Sequence, residues 1–325
     1  MERQNILEIL EYATRAPSTH NSQPWLFKLK GSGVRVFYDE KLKLSQADSE
    51  GRDLYISIGC MIENMRIAAE HFGYNSKIML LINEETHFVG DVDFIKNNSI
   101  SSSINEKLFI QIPSRVNARG IFLSDPIETE IQQVIMSIVE EFKDMNITVK
   151  LLTEKNKITQ IAEITQEAMH EAYNNPKFRV EMSSWMNSNI SSKKQGLPGY
   201  SLKMPLIVSL IIPILIRYIN MGKFLGKLNL KSLASAQLVV VLTGPNNKEA
   251  WIYTGMCAER LMLTIQSYKL QTSIYVGSIE MGDLYKKVKE LVGGSDRPQF
   301  IFAVGKIPGI HRVTPRHSLE LKIIS

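Results

Sequence analysis

Cysteine is almost absent from this sequence of 325 residues, which contains only Cys60 and Cys257. Two thiols this far apart form neither a disulfide framework nor a zinc site, since both need several ligands at characteristic spacings. The six histidines show no metal-ligand spacing either. The sequence therefore predicts no metal site and no disulfide-stabilised scaffold, and it is typical of a protein of the reducing cytoplasm.

Signal-peptide features, blocks of one charge sign and common nucleotide motifs are also missing. Residues 1–11 are polar and predict a helix rather than a secretion signal. The net charge of +5 comes from 38 basic and 33 acidic residues that are interspersed, which argues against a dedicated nucleic-acid-binding protein. The patterns GxGxxG, GxxxxGK and GxSxG do not occur, so dinucleotide folds, P-loop enzymes and α/β-hydrolases have no support.

The most apolar segment covers residues 204–219. It is shorter than the roughly 20 apolar residues of a membrane span, contains Pro205 and Pro213, and includes Arg217. We therefore predict a buried helix or a lid. Contact with an anionic membrane surface is the less favoured alternative, because further basic residues follow at Lys223, Lys227 and Lys231.

The periodicity of apolar residues alternates between helix and strand. It predicts a helix over 2–15, then strands over 25–30 and 34–38 that are joined by a glycine-rich turn. A long amphipathic helix over 52–72 and a strand over 77–82 follow. This succession favours an α+β fold.

The long helix and its following strand have a second copy later in the chain. Gly59 and Gly255 lie 196 residues apart, and in the same register Glu63 matches Glu259 and the apolar positions agree. Any two amphipathic helices share a period of 3.6 residues, which is the alternative explanation. The matching glycine, glutamate and strand favour an internal duplication.

A loop over residues 15–25, RAPSTHNSQPW, concentrates hydroxyl and amide side chains between two prolines. Such a loop either caps its own backbone or holds a planar heterocycle with several donors and acceptors. It resembles the PSxxNxQPW loop of the nitroreductase family of FMN enzymes, which contacts the flavin ring across the dimer interface. The resemblance implies ring contacts from Pro17, Ser18, Thr19 and Asn21.

Two later segments are similar to the phosphate-binding elements of that family. Arg115, Asn117 and Arg119 occupy the positions of its RxSxRxF segment, where serine is usual at the middle position. Two arginines four apart lie on one face of a helix, and a guanidinium suits a phosphate monoester, although unrelated surface charge is the alternative. The strand over 300–305 and Arg316 resemble the C-terminal strand and basic pair that return to the phosphate.

The segment GSIEM resembles the family loop that offers a main-chain N–H to flavin N5. Ile279, Glu280 and Met281 are the corresponding positions, with Met281 where glycine is usual. Within the first loop, His20 either faces the substrate or stabilises the turn.

The order of these segments is similar to the Acg-like branch of the family, in which two halves are fused and one flavin site remains. The resemblance implies a nitroreductase-like α+β fold with two pseudo-symmetric halves, residues 1–110 and 111–325. Each half is expected to have a central helix and an antiparallel sheet, and a helical lid is expected at about 185–230. A single chain would then form the complete site.

The function implied is that of a flavoprotein oxidoreductase, FMN-dependent, which reduces nitroaromatic, quinone or similar flat substrates with NAD(P)H. Because FMN carries the redox chemistry, we assign no catalytic acid or base. The expected partners are a small-molecule substrate and NAD(P)H, with no nucleic acid. The alternative is an FMN-binding or storage protein with a closed site and little reductase activity.

Overall fold

The N-terminal half consists of a four-stranded antiparallel sheet and one long helix that covers it. The computed structural model describes residues 2–97 and 103–324. In this half the elements are α1 (Arg3–Ala13), β1 (Trp25–Lys30), β2 (Gly33–Tyr38), α2 (Arg52–His71), β3 (Tyr74–Asn83), β4 (Phe88–Lys96) and α3 (Ser103–Gln111).

The strands of this sheet lie in the order β1-β2-β4-β3. β1 and β2 form a hairpin in which Trp25 pairs with Tyr38 and Lys30 pairs with Gly33. The tight connection needs the positive φ of +44° at Gly31, a conformation that glycine adopts readily. The predicted strands and the predicted helix over 52–72 are confirmed to within a few residues.

The C-terminal half repeats this plan and adds helices. Its elements are α4 (Thr129–Glu140), β5 (Thr148–Leu152), α5 (Lys155–Asn174), α6 (Pro176–Trp185), β6 (Met186–Asn187), β7 (Leu197–Pro198), α7 (Leu206–Tyr218), α8 (Gly222–Ala234), β8 (Leu238–Gly244), α9 (Lys248–Ser267), β9 (Gln271–Ile274), α10 (Gly277–Glu280), α11 (Leu284–Val292) and β10 (Arg297–Gly305).

The two sheets have the same connectivity. The second sheet has the order β5-β8-β10-β9, so each sheet places the strand before its long helix second and the strand after that helix at an edge. All pairings in both sheets are antiparallel. The predicted α+β fold with two pseudo-symmetric halves is therefore confirmed.

The two halves meet where α2 crosses α9. A Cβ atom on Gly59 would lie 2.0 Å from the carbonyl oxygen of Ile252, and one on Gly255 would lie 2.0 Å from that of Ile56. Ile56 and Ile252 are again 196 residues apart, as are the two glycines. The 196-residue offset found in the sequence therefore relates the residues that meet at the pseudo-twofold crossing of α2 and α9. Glycine at this point allows the two backbones to touch.

The C-terminal residues cross back onto the N-terminal half. Ile323 forms a parallel bridge with Phe27 at the edge strand β1, and the Ile324 N–H donates to the Phe27 carbonyl at 2.8 Å. Close by, the Lys322 ammonium donates to the Gln23 carbonyl at 2.5 Å. This tail therefore brings residues 311–322 beside the loop that follows α1.

Residues 185–230 form the expected helical cover, and they include β6, β7, α7 and most of α8. The cover has a small core of its own, to which Phe178, Met186, Ile212 and Ile216 contribute. The expectation that the apolar segment is buried is wrong for the outer face of α7, where Ile207 is 74% exposed. Only one face of α7 packs against the protein. No helix in the described ranges is long and apolar enough to cross a membrane.

We predict that Gly59→Ala lowers the free energy of unfolding by about 3 kcal/mol or more, because the added methyl group would overlap the backbone of α9. Alanine in a helix interior normally makes a protein more stable than glycine does. A decrease in the free energy of unfolding would therefore indicate the close crossing of α2 and α9. Urea denaturation measures the change. Gly277→Ala is the matched control, since its Cβ would find no atom closer than Ala168 Cβ at 3.8 Å. Equal stability of the two variants would contradict the close crossing.

Candidate active site

The loop after α1 has a strained backbone that tertiary contacts hold in place. His20, Asn21 and Gln23 have φ values of +53°, +54° and +52°, which are uncommon for residues other than glycine. The Gln23 N–H donates to the Ser18 hydroxyl at 2.9 Å, and the Gln23 side chain donates to the Lys194 carbonyl at 2.7 Å. Backbone strain of this kind is concentrated at functional sites in proteins.

Asn21 joins three segments that are distant in sequence. Its Oδ1 accepts a hydrogen bond from Arg316 Nη1 at 2.9 Å. Its Nδ2 donates to the Pro315 carbonyl at 3.1 Å and to the Gly196 carbonyl at 3.2 Å. Two residues that the sequence assigned to one site are thus in direct contact. The Asn21 amide is, however, fully engaged with protein groups.

Arg316 is partly buried beside the loop. Its guanidinium also donates to the Ala16 carbonyl at 2.9 Å and to the Thr314 hydroxyl at 2.6 Å. Burial, assisted by the neighbouring cations Arg115 and Arg15, lowers the pKa of Arg316 to about 9. Its Nε has no hydrogen-bond partner among the described residues.

The Glu259 carboxylate lies beside this group of arginines. Arg115 Nε lies 3.1 Å from Glu259 Oε1, and both side chains are buried. Burial raises the pKa of Glu259 to about 6, against the opposing effect of Arg115. The buried Arg115 and the partly buried Arg316 outnumber this carboxylate, and Arg15 lies exposed at the edge, so the cluster of described residues carries excess positive charge. Such a site favours an anionic ligand.

The segment from Arg115 to Arg119 is extended, and the expectation that the two arginines share a helical face is wrong. The Ala118 N–H donates to the Thr272 carbonyl at 2.9 Å, and Asn117 forms a bridge with Thr272. Pairing with the edge strand β9 therefore replaces helix formation. In extended backbone, side chains two residues apart point to the same side. The spacing of Arg115, Asn117 and Arg119 therefore still favours one common side for these three side chains.

Arg119 and Asn117 are bound to the end of β9. Arg119 Nη1 donates to the Ile274 carbonyl at 3.0 Å, and its guanidinium carbon lies 5.2 Å from the centre of the Tyr275 ring. Asn117 Oδ1 accepts from the Ile274 N–H at 2.9 Å. A narrow cavity beside them is lined by further polar and basic side chains, including Tyr200, Lys203 and Arg312.

The GSIEM segment forms the short helix α10. The N–H groups of Ile279 and Glu280 donate to the Val276 carbonyl, and that of Met281 donates to the Gly277 carbonyl at 3.1 Å. These main-chain donors are therefore used within the helix. Ile279 is buried, and the Ser278 hydroxyl beside it is buried without a hydrogen-bond partner among the described residues.

Buried charges connect α10 to the loop. The Glu280 carboxylate pairs with Arg52, whose Nη2 lies 3.7 Å from Asp53 Oδ1. The Thr19 hydroxyl donates to Asp53 Oδ2 at 3.1 Å. Burial, together with the nearby carboxylates of Glu280 and Asp48, raises the pKa of Asp53 well above its usual range. Thr19 and Glu280 are thus held near each other at the start of α2.

His20 lies under the cover formed by the lid. Its ring centroid is 6.3 Å from that of Trp185, and burial lowers its pKa to about 4. The imidazole is therefore neutral near pH 7. Its Nδ1 is one of the buried polar atoms of the described chain that lack a partner. The half-buried Pro17 and Ser18 precede it in the same loop.

The pseudo-symmetry explains why Glu259 is available to Arg115. In the other half, Glu63 pairs with Arg66 and with Arg260 at 2.9 Å, and these cations lower its pKa against the cost of burial. The position related to Arg260 by the 196-residue offset is Asn64, a buried neutral residue that supplies no cation for Glu259.

The sequence reasoning missed several residues of this site, and for one of them a signal was present. Glu259 was marked by its match to Glu63 in the duplication. Arg52 and Asp53 carried no comparable signal, because long-range packing alone brings them to the loop, whereas Arg15 is the first residue of the loop itself.

Parts of this chain are similar to known proteins. No family model matches the chain. A Mycobacterium tuberculosis protein named "Putative NAD(P)H nitroreductase" is 29% identical over 77 residues, 24% of this chain and 22% of that protein. Another from the same organism, "Putative NAD(P)H nitroreductase acg", is 32% identical over 73 residues, 22% of each. Each match thus spans less than a quarter of the curated relative.

A solved structure matches nearly the whole chain. The crystal structure of "a putative nitroreductase" from Anabaena variabilis aligns with 93% of this chain and 88% of that chain, at 9% identity and a TM-score of 0.52. The chain has the nitroreductase fold. The resemblance to the nitroreductase family and its Acg-like members, drawn from the loop and arginine motifs, is confirmed by these comparisons.

We predict opposite pH effects from the two related glutamates of this nitroreductase-fold chain. The raised pKa of Glu259 means that the folded state binds the proton of this carboxyl more tightly than the unfolded state does. The contribution of Glu259 to the free energy of unfolding therefore falls as the pH rises from about 4.5 to about 6. The parent should therefore lose about 2 kcal/mol of unfolding free energy relative to Glu259→Gln between pH 4 and 7.

Glu63→Gln is the matched control for this measurement. The lowered pKa of Glu63 makes its contribution present above its usual pKa and lost as pH falls through the lowered value. The parent should thus gain stability relative to Glu63→Gln as pH rises. Urea denaturation across pH measures both differences, and the same sign for the two variants would contradict the assigned environments.

Proposed function

We propose that this chain is an FMN-dependent oxidoreductase that reduces nitroaromatic, quinone or similar flat substrates with NAD(P)H. The observation that carries the proposal is the cluster of the buried Asn21 and Arg115 with the partly buried Arg316, which has excess positive charge. These residues come from motifs that resemble the flavin-binding elements of the nitroreductase family.

The phosphate end of FMN fits the arginine cluster. Arg115 and Arg316 would hold a phosphate monoester, which supplies the negative charge that Glu259 alone does not. The unpartnered Nε of Arg316 is a donor that such a ligand would satisfy. Arg119 and Asn117 support this end through their bonds to β9. One terminal phosphate matches FMN rather than a dinucleotide.

For the ring end, the residues to which the resemblance points lie in the loop and at α10. Pro17, Ser18 and Thr19 would border the ring on one side, and Ile279, Glu280 and Met281 on the other. The N–H groups of Ile279, Glu280 and Met281 are engaged, and His20 Nδ1 and Ser278 Oγ are two polar atoms at this end that have no partner among the described residues. FMN, when bound, accepts a hydride from NAD(P)H and passes it to the acceptor. The protein holds it and excludes water.

The lid supports a flat, partly apolar substrate. Lys194, Gln195 and Gly196 of the lid hydrogen-bond the loop, and Trp185 lies over His20. Aromatic cover of this kind favours planar ligands. All of these groups belong to one chain, so we infer that one chain completes one site. The unpaired thiols of Cys60 and Cys257 are in keeping with a cytoplasmic protein.

We predict that the purified chain is yellow and releases FMN on heating, at one FMN per chain. Chromatography of the released cofactor identifies it, and titration of the apoprotein alongside the measured mass gives the stoichiometry. NAD(P)H should bleach the bound flavin, and a quinone should restore its absorbance. Released FAD, or no flavin after reconstitution, would refute the cofactor. Bound FMN that NAD(P)H does not reduce would favour storage.

We predict that Arg115→Ala weakens FMN binding about tenfold to a hundredfold, because a charge-assisted contact to the phosphate is lost. Asn21→Ala should also weaken binding, since its amide positions Arg316. The phosphate keeps its charge in both redox states, so neither change should shift the flavin midpoint potential.

A control variant and the midpoint potential show whether Asn21 positions Arg316 or contacts the flavin ring. Arg35→Ala removes a half-exposed arginine on β2 and should leave FMN affinity unchanged. The measurements are FMN affinity and midpoint potential for each variant. A shifted potential with fully bound FMN in Asn21→Ala would mean that this amide faces the ring instead of Arg316.

A further inference from the structure

The net positive charge of the chain arises from one segment that includes the lid. No aspartate or glutamate occurs between Glu181 and Glu249, and the same stretch contains eight lysines and arginines. Without that stretch, the remaining 30 basic and 33 acidic residues give the chain a negative balance. The overall excess of basic residues therefore comes from one continuous segment that includes α7 and α8.

The outer face of α7 is an exposed apolar stripe. Its members recur at intervals of three and four residues, which places them on one side of a helix. They are Ile207 (74% exposed), Leu210 (47%), Ile211 (48%), Ile214 (62%) and Tyr218 (73%). The opposite side of α7, with Ser209, Ile212 and Ile216, is buried against the protein. A stripe of this size on a surface helix marks an interaction site.

Basic side chains follow the stripe directly. Arg217 lies in the last turn of α7, and it is exposed. In α8, Lys223, Lys227 and Lys231 are exposed and recur every four residues, so they lie along one face. Phe224 and Leu228 are exposed beside them. The two consecutive helices therefore combine apolar and cationic surface without any acidic residue.

We propose that α7 and α8 form a surface that binds peripherally to an anionic lipid bilayer. The apolar stripe of α7 enters the boundary between headgroups and acyl chains, and the basic side chains contact the anionic headgroups. A helix can lie in this interface without the length that a membrane span requires. Each basic side chain near an anionic surface adds favourable electrostatic energy.

The charge of the segment decides between a bilayer and a second copy of the chain. An isologous dimer through α7 and α8 would bring the same basic residues of two copies together, which is unfavourable. An anionic bilayer offers complementary charge and an apolar layer at once. The stripe also faces away from the lid core, so binding does not depend on occupation of the flavin site.

The test is sedimentation of the purified chain with vesicles of phosphatidylcholine, with or without phosphatidylglycerol. We expect binding to the anionic vesicles, little binding to the neutral ones, and weakening by salt through screening. The double variant Ile207→Asn/Ile214→Asn should lose at least about tenfold in vesicle affinity, since two inserted apolar side chains are removed. Lys223→Gln/Lys227→Gln should weaken binding and reduce its salt dependence.

The matched control is Lys107→Gln/Ile110→Asn on α3, which removes one exposed basic and one exposed apolar residue, the latter 67% exposed. It should bind like the parent. Circular dichroism and urea denaturation confirm that each variant is folded, and the readout does not require flavin. Failure of the parent to bind anionic vesicles would overturn the proposal. So would a parent dimer in solution that Ile207→Asn/Ile214→Asn converts to monomer.

Discussion

The close crossing of α2 and α9 is the contact on which the rest of the structure depends. At Gly59 and Gly255 the backbones approach so closely that no side chain fits between them. This contact fixes the distance and the angle between the two halves, and with them the separation between the loop after α1 and the strand β9. A side chain at either glycine would push the halves apart, so the effect of such a change should extend to both sides of the site.

The two halves are pseudo-symmetric, so the related positions at which their residues differ are informative. Glu63 and Glu259 occupy related positions, but Arg260 neutralises the first while Asn64 faces the second. One half therefore contains a satisfied ion pair, and the other leaves a carboxylate to share with Arg115. The positions related to Arg260 and Arg66 hold the neutral residues Asn64 and Met262, so Glu259 lacks the two cations that pair with Glu63. This asymmetry is in keeping with one ligand site per chain.

The lid performs two tasks on two faces. Its inner side hydrogen-bonds the loop through Lys194, Gln195 and Gly196, and it adds a small core that packs around Ile212 and Ile216. Its outer side is apolar and basic. The buried face of α7 packs against the protein. The residues of its outer face are not needed for this packing and can contact an external surface.

The pattern of apolar residues within each segment determined the helices and strands, and it determined the offset of the internal duplication. The alternation over Trp25–Lys30 and the amphipathic period of α2 act within one segment, and the offset between Gly59 and Gly255 needs only the two segments themselves. The motifs around Asn21 and Arg115 were visible for the same reason. The tertiary structure alone decided that Arg115 lies in extended backbone, because pairing with β9 depends on a strand about 150 residues away. It likewise brought Arg15 and Glu259 to Arg316, and it turned half of α7 towards solvent, since burial depends on packing between segments that no local pattern records.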